Sequence, residues 1–181
     1  FSEIIWFYPV GAGTPDITNY VSYNYAENLW AVGTLARGAW LDSGVLDGPV
    51  ASSVVTETDA NYLYSHEVGY DDDGSPMTAY IESGDMDLGE GDQVWAINRI
   101  IPDVTFRGAS STDEVTISLN GHNFPGGAQT SLTSAAITSS TEQAFVRARA
   151  RQVSMKVEST GAGYGWRVGF VRLDGRTDGK R

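Results

Sequence analysis

The sequence predicts an all-β protein. Apolar and polar side chains alternate along several short segments, which is the pattern of a strand with one buried face. Glycine, proline, asparagine and aspartate are concentrated between these segments, where they favour turns. No segment of helical length carries an apolar stripe with the helical period of about 3.6 residues. We therefore expect antiparallel sheets connected by turns and loops.

Strands recur along the first part of the chain. The predicted strands are Glu3 to Tyr8, Asn19 to Asn24, Leu29 to Thr34, Val50 to Val55 and Asn61 to Tyr70. A short polar turn followed by a tryptophan-led strand is typical of propeller blades, in which Trp30 would pack between neighbouring blades. An antiparallel meander in a β-sandwich fits the same pattern equally well. In the loop before Val50, we expect Trp40 to be a buried anchor.

The second part continues with strands and polar connections. The predicted strands are Met77 to Glu82, Gln93 to Ile101, Val104 to Arg107 and Glu114 to Asn120. Pro102 ends one of them, because proline has no backbone N–H to donate. We place an organisational boundary between Pro102 and Ser111, close to Arg99, where the charge of the chain changes sign.

The end of the chain predicts a β-hairpin with a basic face. Arg147, Arg149 and Arg151 alternate with small or polar residues, so a strand would project the three arginines from one side in a row of about 13 Å. A second strand is predicted from Trp166 to Leu173, and the glycines of TGAGYG supply the turn between the two strands. A solvated polar face accounts for this periodicity equally well.

Charge is distributed unequally along the chain. The net charge is −11, yet residues 1–98 carry one basic residue against sixteen acidic ones, and residues 99–181 carry eleven basic against seven acidic ones. The acidic first part repels nucleic acid rather than binding it. The three arginines can clamp phosphates, pair with acids of a neighbouring subunit or lie in water. We favour pairing with an adjacent copy, because it accounts for both charge blocks together.

The sequence offers no evident residues for catalysis or metal binding. His66 and His122 are far apart in the chain, and both are interpreted as surface or hydrogen-bonding residues. The acidic turn of Asp71, Asp72 and Asp73 lacks the later ligands of a calcium-binding loop. The chain contains no cysteine, which excludes disulfides and thiolate metal sites. We therefore predict a protein that is not an enzyme and needs no cofactor or metal.

Blocks along the whole chain resemble one family of phage proteins. The run VRARARQVSMKVES, with GAGYGWRVGFVRLDGRTDGKR after it, resembles the carboxyl-terminal segment of the tail hub or nozzle proteins of short-tailed phages, also called packaged-DNA stabilisation proteins. Further blocks resemble that family in its own order, namely EIIWFYP, NYVSYNYAENLWAVGTLARGAWLDSG, LYSHEVGYDDDG, AYIESGDMDLGEGDQ, INRIIPDVTFRG and NFPGGA. As an ordered set, these blocks are more specific than any one of them.

The resemblance implies an architecture and a role. It implies a β-propeller followed by a β-sandwich-like platform, with residues 1–65 as terminal propeller strands, 66–108 as acidic connecting strands and 109–181 as the platform with its basic hairpin. It also implies a ring, usually a hexamer, below the portal and its adaptor protein. Such a ring closes the filled capsid, forms part of the DNA ejection channel and supports tail fibre or needle proteins.

The resemblance also suggests a use for the acidic residues. Double-stranded DNA must slide through the channel without sticking, so acids are candidates for its lining. The candidate acids are Asp71, Asp72, Asp73, Asp85, Asp87 and Glu90. The implied location is the virion, with the host cytoplasm as the place of assembly. We expect no membrane partner, because no apolar run reaches about 18 residues and no signal peptide is visible.

Two other functions are compatible with a β-rich sequence. A glycan-binding β-sandwich of a tail fibre or spike could stack sugars on Trp6, Tyr8, Trp30 or Trp40. Their positions within strands favour core packing instead. A propeller hydrolase such as a sialidase would need convergent arginines together with an acid and a tyrosine.

Overall fold

The computed structural model describes an all-β protein. The residues described are 2–11, 13, 17–54, 62–87, 93–108, 110, 112–124 and 126–180. Every regular element within these ranges is a β-strand, which confirms the predicted fold class. The chain divides into two compact units, Phe1–Val68 and Gly69–Arg181. No helix of the described residues is long and apolar enough to span a membrane.

The first unit contains two antiparallel sheets of three strands each. One sheet has the order β1-β2-β3, with β1 at Glu3–Tyr8, β2 at Asn19–Asn24 and β3 at Leu29–Thr34. The other has the order β4-β5-β6, with β4 at Trp40–Leu41, β5 at Val50–Ser52 and β6 at Leu63–Ser65. The limits of β1, β2 and β3 are those that the alternation predicted. A propeller remains a prediction for this unit.

The turn between β2 and β3 is closed by asparagine side chains. Asn24 Oδ1 accepts hydrogen bonds from the backbone N–H groups of Ala26 and Glu27, both at 3.0 Å. Asn28 has a φ of 57°, a left-handed conformation that asparagine tolerates better than most residues. Tyr23 holds it there by donating its hydroxyl hydrogen to Asn28 Oδ1 at 3.0 Å. Because these hydrogen bonds are all local, the hairpin could be predicted from the sequence.

The second unit contains the remaining ten strands. They are β7 (Ala79–Glu82), β8 (Met86–Asp87), β9 (Gln93–Ile101), β10 (Val104–Arg107), β11 (Glu114–His122), β12 (Thr130–Thr138), β13 (Ala144–Ala150), β14 (Gln152–Ser159), β15 (Gly165–Val168) and β16 (Arg172–Lys180). One sheet has the order β12-β11-β14-β7, with β8 also paired to β14. A second has the order β13-β9-β16, and β10 pairs with β15.

The two larger sheets of this unit share one hydrophobic core. On β11, Val115, Ile117 and Leu119 are fully buried, as alternate residues of a strand should be. Side chains of β9 and β13 from the second sheet, including Ile100 and Ala148, belong to the same buried cluster. Two sheets packed through their inner faces form a β-sandwich.

The predicted C-terminal hairpin is wrong. The chain bends at Arg151, so that β13 belongs to one sheet of the sandwich and β14 to the other. Even-numbered residues such as Ala148 are buried before the bend, whereas odd-numbered residues such as Val153 and Val157 are buried after it. Strand β15 pairs with β10 instead of β14. A periodicity of two describes each strand but does not reveal which sheet the strand joins.

The acidic segment 66–108 is built into the second unit. Its strands β7 and β8 pair with β14, β9 is the central strand of its sheet, and β10 pairs with β15. The division between the units falls between Val68 and Gly69, close to the start of this segment. The segment therefore supplies strands to the sandwich as well as connections.

Tyr164 anchors the turn between β14 and β15. Its side chain is buried, and its hydroxyl donates a hydrogen bond of 2.5 Å to the backbone oxygen of Glu114. Any Cβ at position 161 would overlap the Tyr164 ring, so the turn requires Gly161. The ring thus ties the end of β14 to the start of β11.

We expect alkaline pH to destabilise the second unit through Tyr164. Burial raises the pKa of Tyr164 above its ordinary value of about 10. The unfolded phenol therefore ionises first, and the free energy of unfolding falls as the pH rises above about 10. Urea unfolding from about pH 9 upward should show a shallower decline for Tyr164→Phe than for the native protein.

The exposed Tyr62 lies in the first unit and provides the control. Tyr62→Phe should leave the unfolding of the second unit unchanged. At neutral pH, Tyr164→Phe should also cost about 1–3 kcal/mol, because the Glu114 carbonyl oxygen loses its donor. An alkaline slope identical in Tyr164→Phe and the native protein would contradict the role of Tyr164.

Candidate functional site

Two of the three predicted arginines lie together on an exposed sheet edge. Strand β13 is an outer strand of its sheet, and Arg147 and Arg149 are exposed whereas Ala148 and Ala150 are buried. Strand geometry explains this alternation. Arg151 does not join the row, because it lies at the bend after β13 and is half-buried.

A groove opens beside these arginines, where the pairing of β9 is irregular. Val146 and Arg147 of β13 together lie opposite the single residue Asn98, and Asn98 is skipped in the pairing of β9 with β16. Such bulges interrupt the hydrogen-bond ladder and redirect side chains. The groove has a volume of about 540 Å³. We call it the arginine groove, with walls that include Asn98, Arg147, Arg149, Arg176 and Asp178 around apolar residues such as Ala96 and Val146.

Arg176 was not among the arginines that the sequence singled out. Arg149 and Arg176 pair with Ala96 from opposite sides. Because neighbouring strands are about 4.8 Å apart, the two arginine Cα atoms are separated by about 10 Å, with only a methyl group between them. A Cβ at Gly175 would come within 2.6 Å of the Ala96 carbonyl oxygen, so this close approach needs glycine.

Internal ion pairs neutralise only part of the basic charge near the groove. Arg149 Nε lies 2.6 Å from Asp178 Oδ2, and Arg99 pairs with Asp174. Both pairs are solvent-exposed and contribute little to stability. The side chains of Arg147 and Arg176 make no hydrogen bond or ion pair with any other residue that the structure describes. The groove therefore presents two guanidinium groups available to an anion.

The predicted channel acids occupy different environments. Asp87 Oδ1 accepts a hydrogen bond from Gln152 at 2.9 Å, and Asp85 Oδ1 lies 3.3 Å from His122 Nε2. Glu90 lies outside the described residues. Asp85 and Asp87 thus already have polar neighbours within the second unit.

The other acids form a tight, exposed turn. Asp72 and Ser75 exchange two backbone hydrogen bonds of 2.9 Å, and Asp73 and Gly74 have φ angles of 50° and 79°. These values define a type I′ turn, for which Asp-Gly is a preferred sequence. Asp72 and Asp73 are exposed and Asp71 is half-buried. We call residues 71–75 the acidic turn.

The histidines have structural partners. His122 Nδ1 lies 2.8 Å from the backbone oxygen of Gly127. His66, in the first unit, accepts a hydrogen bond from Arg37. Across the ranges described, no group of three or more His, Cys, Asp or Glu side chains is arranged to hold a metal ion.

Arg37 lies at the centre of a polar and aromatic cluster in the first unit. Only 7% of Arg37 is exposed, and its guanidinium carbon lies 4.0 Å from the centre of the Tyr64 ring. Arg37 Nε donates to His66 Nε2 at 3.3 Å, and the His66 ring packs 4.6 Å from that of Trp40. The sequence could have singled out Arg37, because it is the one basic residue among residues 1–98.

Trp6, Tyr8 and Trp30 of the first sheet are exposed, contrary to the expected core packing. Trp30 is 64% exposed, and Trp6 and Tyr8 are exposed as well. The Trp30 ring stacks 4.5 Å from that of Tyr23 and 6.0 Å from that of Trp6. Phe7 points to the opposite face, where it contacts Trp40. One face of the sheet therefore forms an exposed aromatic surface.

Comparison with known proteins assigns no family to the chain. A scan against protein-family models and a search of the curated proteins give no match. The functional proposals below are therefore based on the described geometry, the charges and the resemblance of the sequence blocks.

Proposed function

We propose that the chain is a structural virion protein of the tail hub, or nozzle, of a short-tailed phage. In this role, copies of the chain form a ring below the portal and its adaptor protein, and the resemblance implies six copies. The ring closes the filled capsid and surrounds part of the DNA ejection channel. Tail fibre or needle proteins attach to the same assembly. The proposal assigns no catalytic activity to the chain.

The observation that carries this proposal is the separation of charge within one chain. Residues 1–98 contain one basic residue against sixteen acidic ones, whereas the arginine groove retains Arg147 and Arg176, which form no ion pair with a described residue. A surface of each sign on the same molecule allows identical copies to associate head to tail. Head-to-tail contacts close into a ring when the rotation between copies is an exact fraction of a turn.

The acidic residues also suit a passage for DNA. Acidic walls repel the phosphate backbone, so a duplex can move along them without being held. Asp85 and Asp87 are exposed candidates for such a wall. A ring in which these side chains face away from the central axis would contradict this part of the proposal.

Cryo-electron microscopy of the portal-to-tail axis tests the proposed function. In particles that carry this chain, we expect a ring of about six copies below the portal. Arg147 and Arg149 should lie at a contact with a neighbouring copy or with the adaptor. Particles in which the chain is found only in peripheral appendages, or in which it is missing, would overturn the proposal.

The exposed aromatic face of the first sheet favours a second candidate function, glycan binding by a fibre or spike domain. Trp6 and Trp30 offer exposed indole surface, and such rings can stack on sugars. A glycan array probed with the native protein and with Trp30→Ala tests this function. Binding that is lost in Trp30→Ala but kept in Val45→Ala, which alters a fully exposed side chain, would favour the glycan-binding function over the tail hub.

A further inference from the structure

We propose that the arginine groove receives the acidic turn of a second copy of this chain. This inference rests on the proposed ring function and names the two surfaces that meet within the ring. The groove and the turn share no residue, since the groove is formed by β9, β13 and β16 and the turn comprises residues 71–75. A contact between them in two copies is therefore compatible with head-to-tail association.

Charge favours the acidic turn over the other described channel acids, Asp85 and Asp87. Asp85 and Asp87 already lie beside His122 and Gln152. Asp71 and Asp73 make no hydrogen bond or ion pair with the rest of the described chain. On the other side, Arg147 and Arg176 are the groove arginines whose side chains form no ion pair with a described residue. Joining the two surfaces would pair carboxylates with guanidinium groups, the strongest type of ion pair for this geometry.

The shape of the turn also fits the groove. The ends of a β-turn lie less than about 7 Å apart, whereas Arg149 and Arg176 stand about 10 Å apart across Ala96. The turn is held rigid by its two reciprocal backbone hydrogen bonds, so little conformational entropy is lost on docking. Its base is fixed as well, because the Tyr70 ring packs against Gly165 so closely that a Cβ there would come within 2.7 Å of the ring.

Nucleic acid is the less suitable occupant of the groove. The groove walls include apolar residues such as Val146 and Ala96, which offer nothing to a phosphate backbone. The chain as a whole carries a net charge of −11, which weakens its attraction for a long polyanion. A short carboxylate-bearing turn avoids this repulsion, because only the tip of the partner needs to approach the arginines.

Disulfide trapping in this cysteine-free chain provides the test. One chain carries Ser75→Cys at the end of the turn, and the other carries Asn98→Cys in the groove. Cysteines can be joined only when their Cα atoms lie within about 7 Å. Mild oxidation of the mixture should give a cross-linked heterodimer. The matched control, Ser75→Cys with Ser139→Cys on an exposed turn, should give at least tenfold less product.

A charge swap then identifies the ion pairs. Asp71→Lys in the Ser75→Cys chain, or Arg147→Glu in the Asn98→Cys chain, should each reduce the yield at least tenfold. Mixing the two reversed chains should restore it. Asp47→Lys and Arg167→Glu reverse exposed charges that belong to neither surface and should leave the yield unchanged.

Other results overturn the inference in distinguishable ways. A cross-link between Ser75→Cys and Asn98→Cys no stronger than that of the Ser139→Cys control would overturn the inference, because the turn would then not lie in the groove. Competition by a short DNA duplex that depends on Arg147 would assign the groove to phosphates. A ring in the particle with the turn away from the groove would overturn the inference and leave the proposed function standing. A chain without a place in the tail hub would overturn the proposed function, whatever the cross-linking result.

Discussion

Leu119→Ala should destabilise the second unit by about 2–5 kcal/mol, the usual cost of truncating a fully buried leucine. Leu119 has no exposed surface and lies on β11, between β12 and β14 in the sheet. It belongs to the core cluster that also contains Ile97 and Ala148, which line the arginine groove. Truncation leaves a cavity that the paired strands on both sides cannot easily collapse.

Urea unfolding of the full chain and hydrogen exchange of the β9, β11 and β14 amides measure this effect. Exchange should accelerate in β9 as well as in β11, because the core joins their two sheets. Phe170→Ala is the matched control, since it removes a larger side chain that is 75% exposed. The control should change the free energy of unfolding by no more than about 0.5 kcal/mol. A loss below about 1 kcal/mol in Leu119→Ala would contradict the shared core.

Strands governed by local patterns could be predicted from the sequence. The limits of β9 and β10 agree with the prediction, because apolar alternation defines the strands and Pro102 separates them. The strand β12 was not predicted, since its serine and threonine residues provide little apolar contrast. β12 forms because β11 offers a long pairing partner. Such pairing is a long-range property that local periodicity does not contain.

The candidate site was only partly predictable for the same reason. Arg147 and Arg149 could be identified from alternation within one strand. Arg176 reaches the groove only through the pairing of β16 with β9, and the glycines at 175 and 179 obscured that strand. Arg151 was misplaced because one bend between two sheets reverses which side chains face outward. A groove that depends on bulges at Asn98 requires the register of three strands, which the sequence alone does not specify.

Arg37→Ala should destabilise the first unit by about 1.5–3 kcal/mol, the usual contribution of hydrogen bonds made by a charged group. The Arg37 guanidinium packs on Tyr64, bonds to His66 Nε2 and donates to the backbone oxygen of Ala36 at 2.8 Å. These contacts join residues on both sides of β5, so the arginine organises the sheet β4-β5-β6. Hydrogen exchange of the β5 and β6 amides and the fluorescence of Trp40 during urea unfolding should report the loss.

Arg37→Lys separates the charge from the geometry of the guanidinium. Lysine keeps the positive charge but lacks the planar guanidinium that stacks on Tyr64 and donates to both His66 Nε2 and the Ala36 backbone oxygen. The two side chains are therefore not interchangeable at this site. We expect a loss of about half that of Arg37→Ala, whereas the exposed Arg167→Ala should stay within about 0.5 kcal/mol. Equal stability of Arg37→Lys and the native protein would mean that charge alone is required. Native stability of Arg37→Ala would remove Arg37 as the organising residue of this sheet.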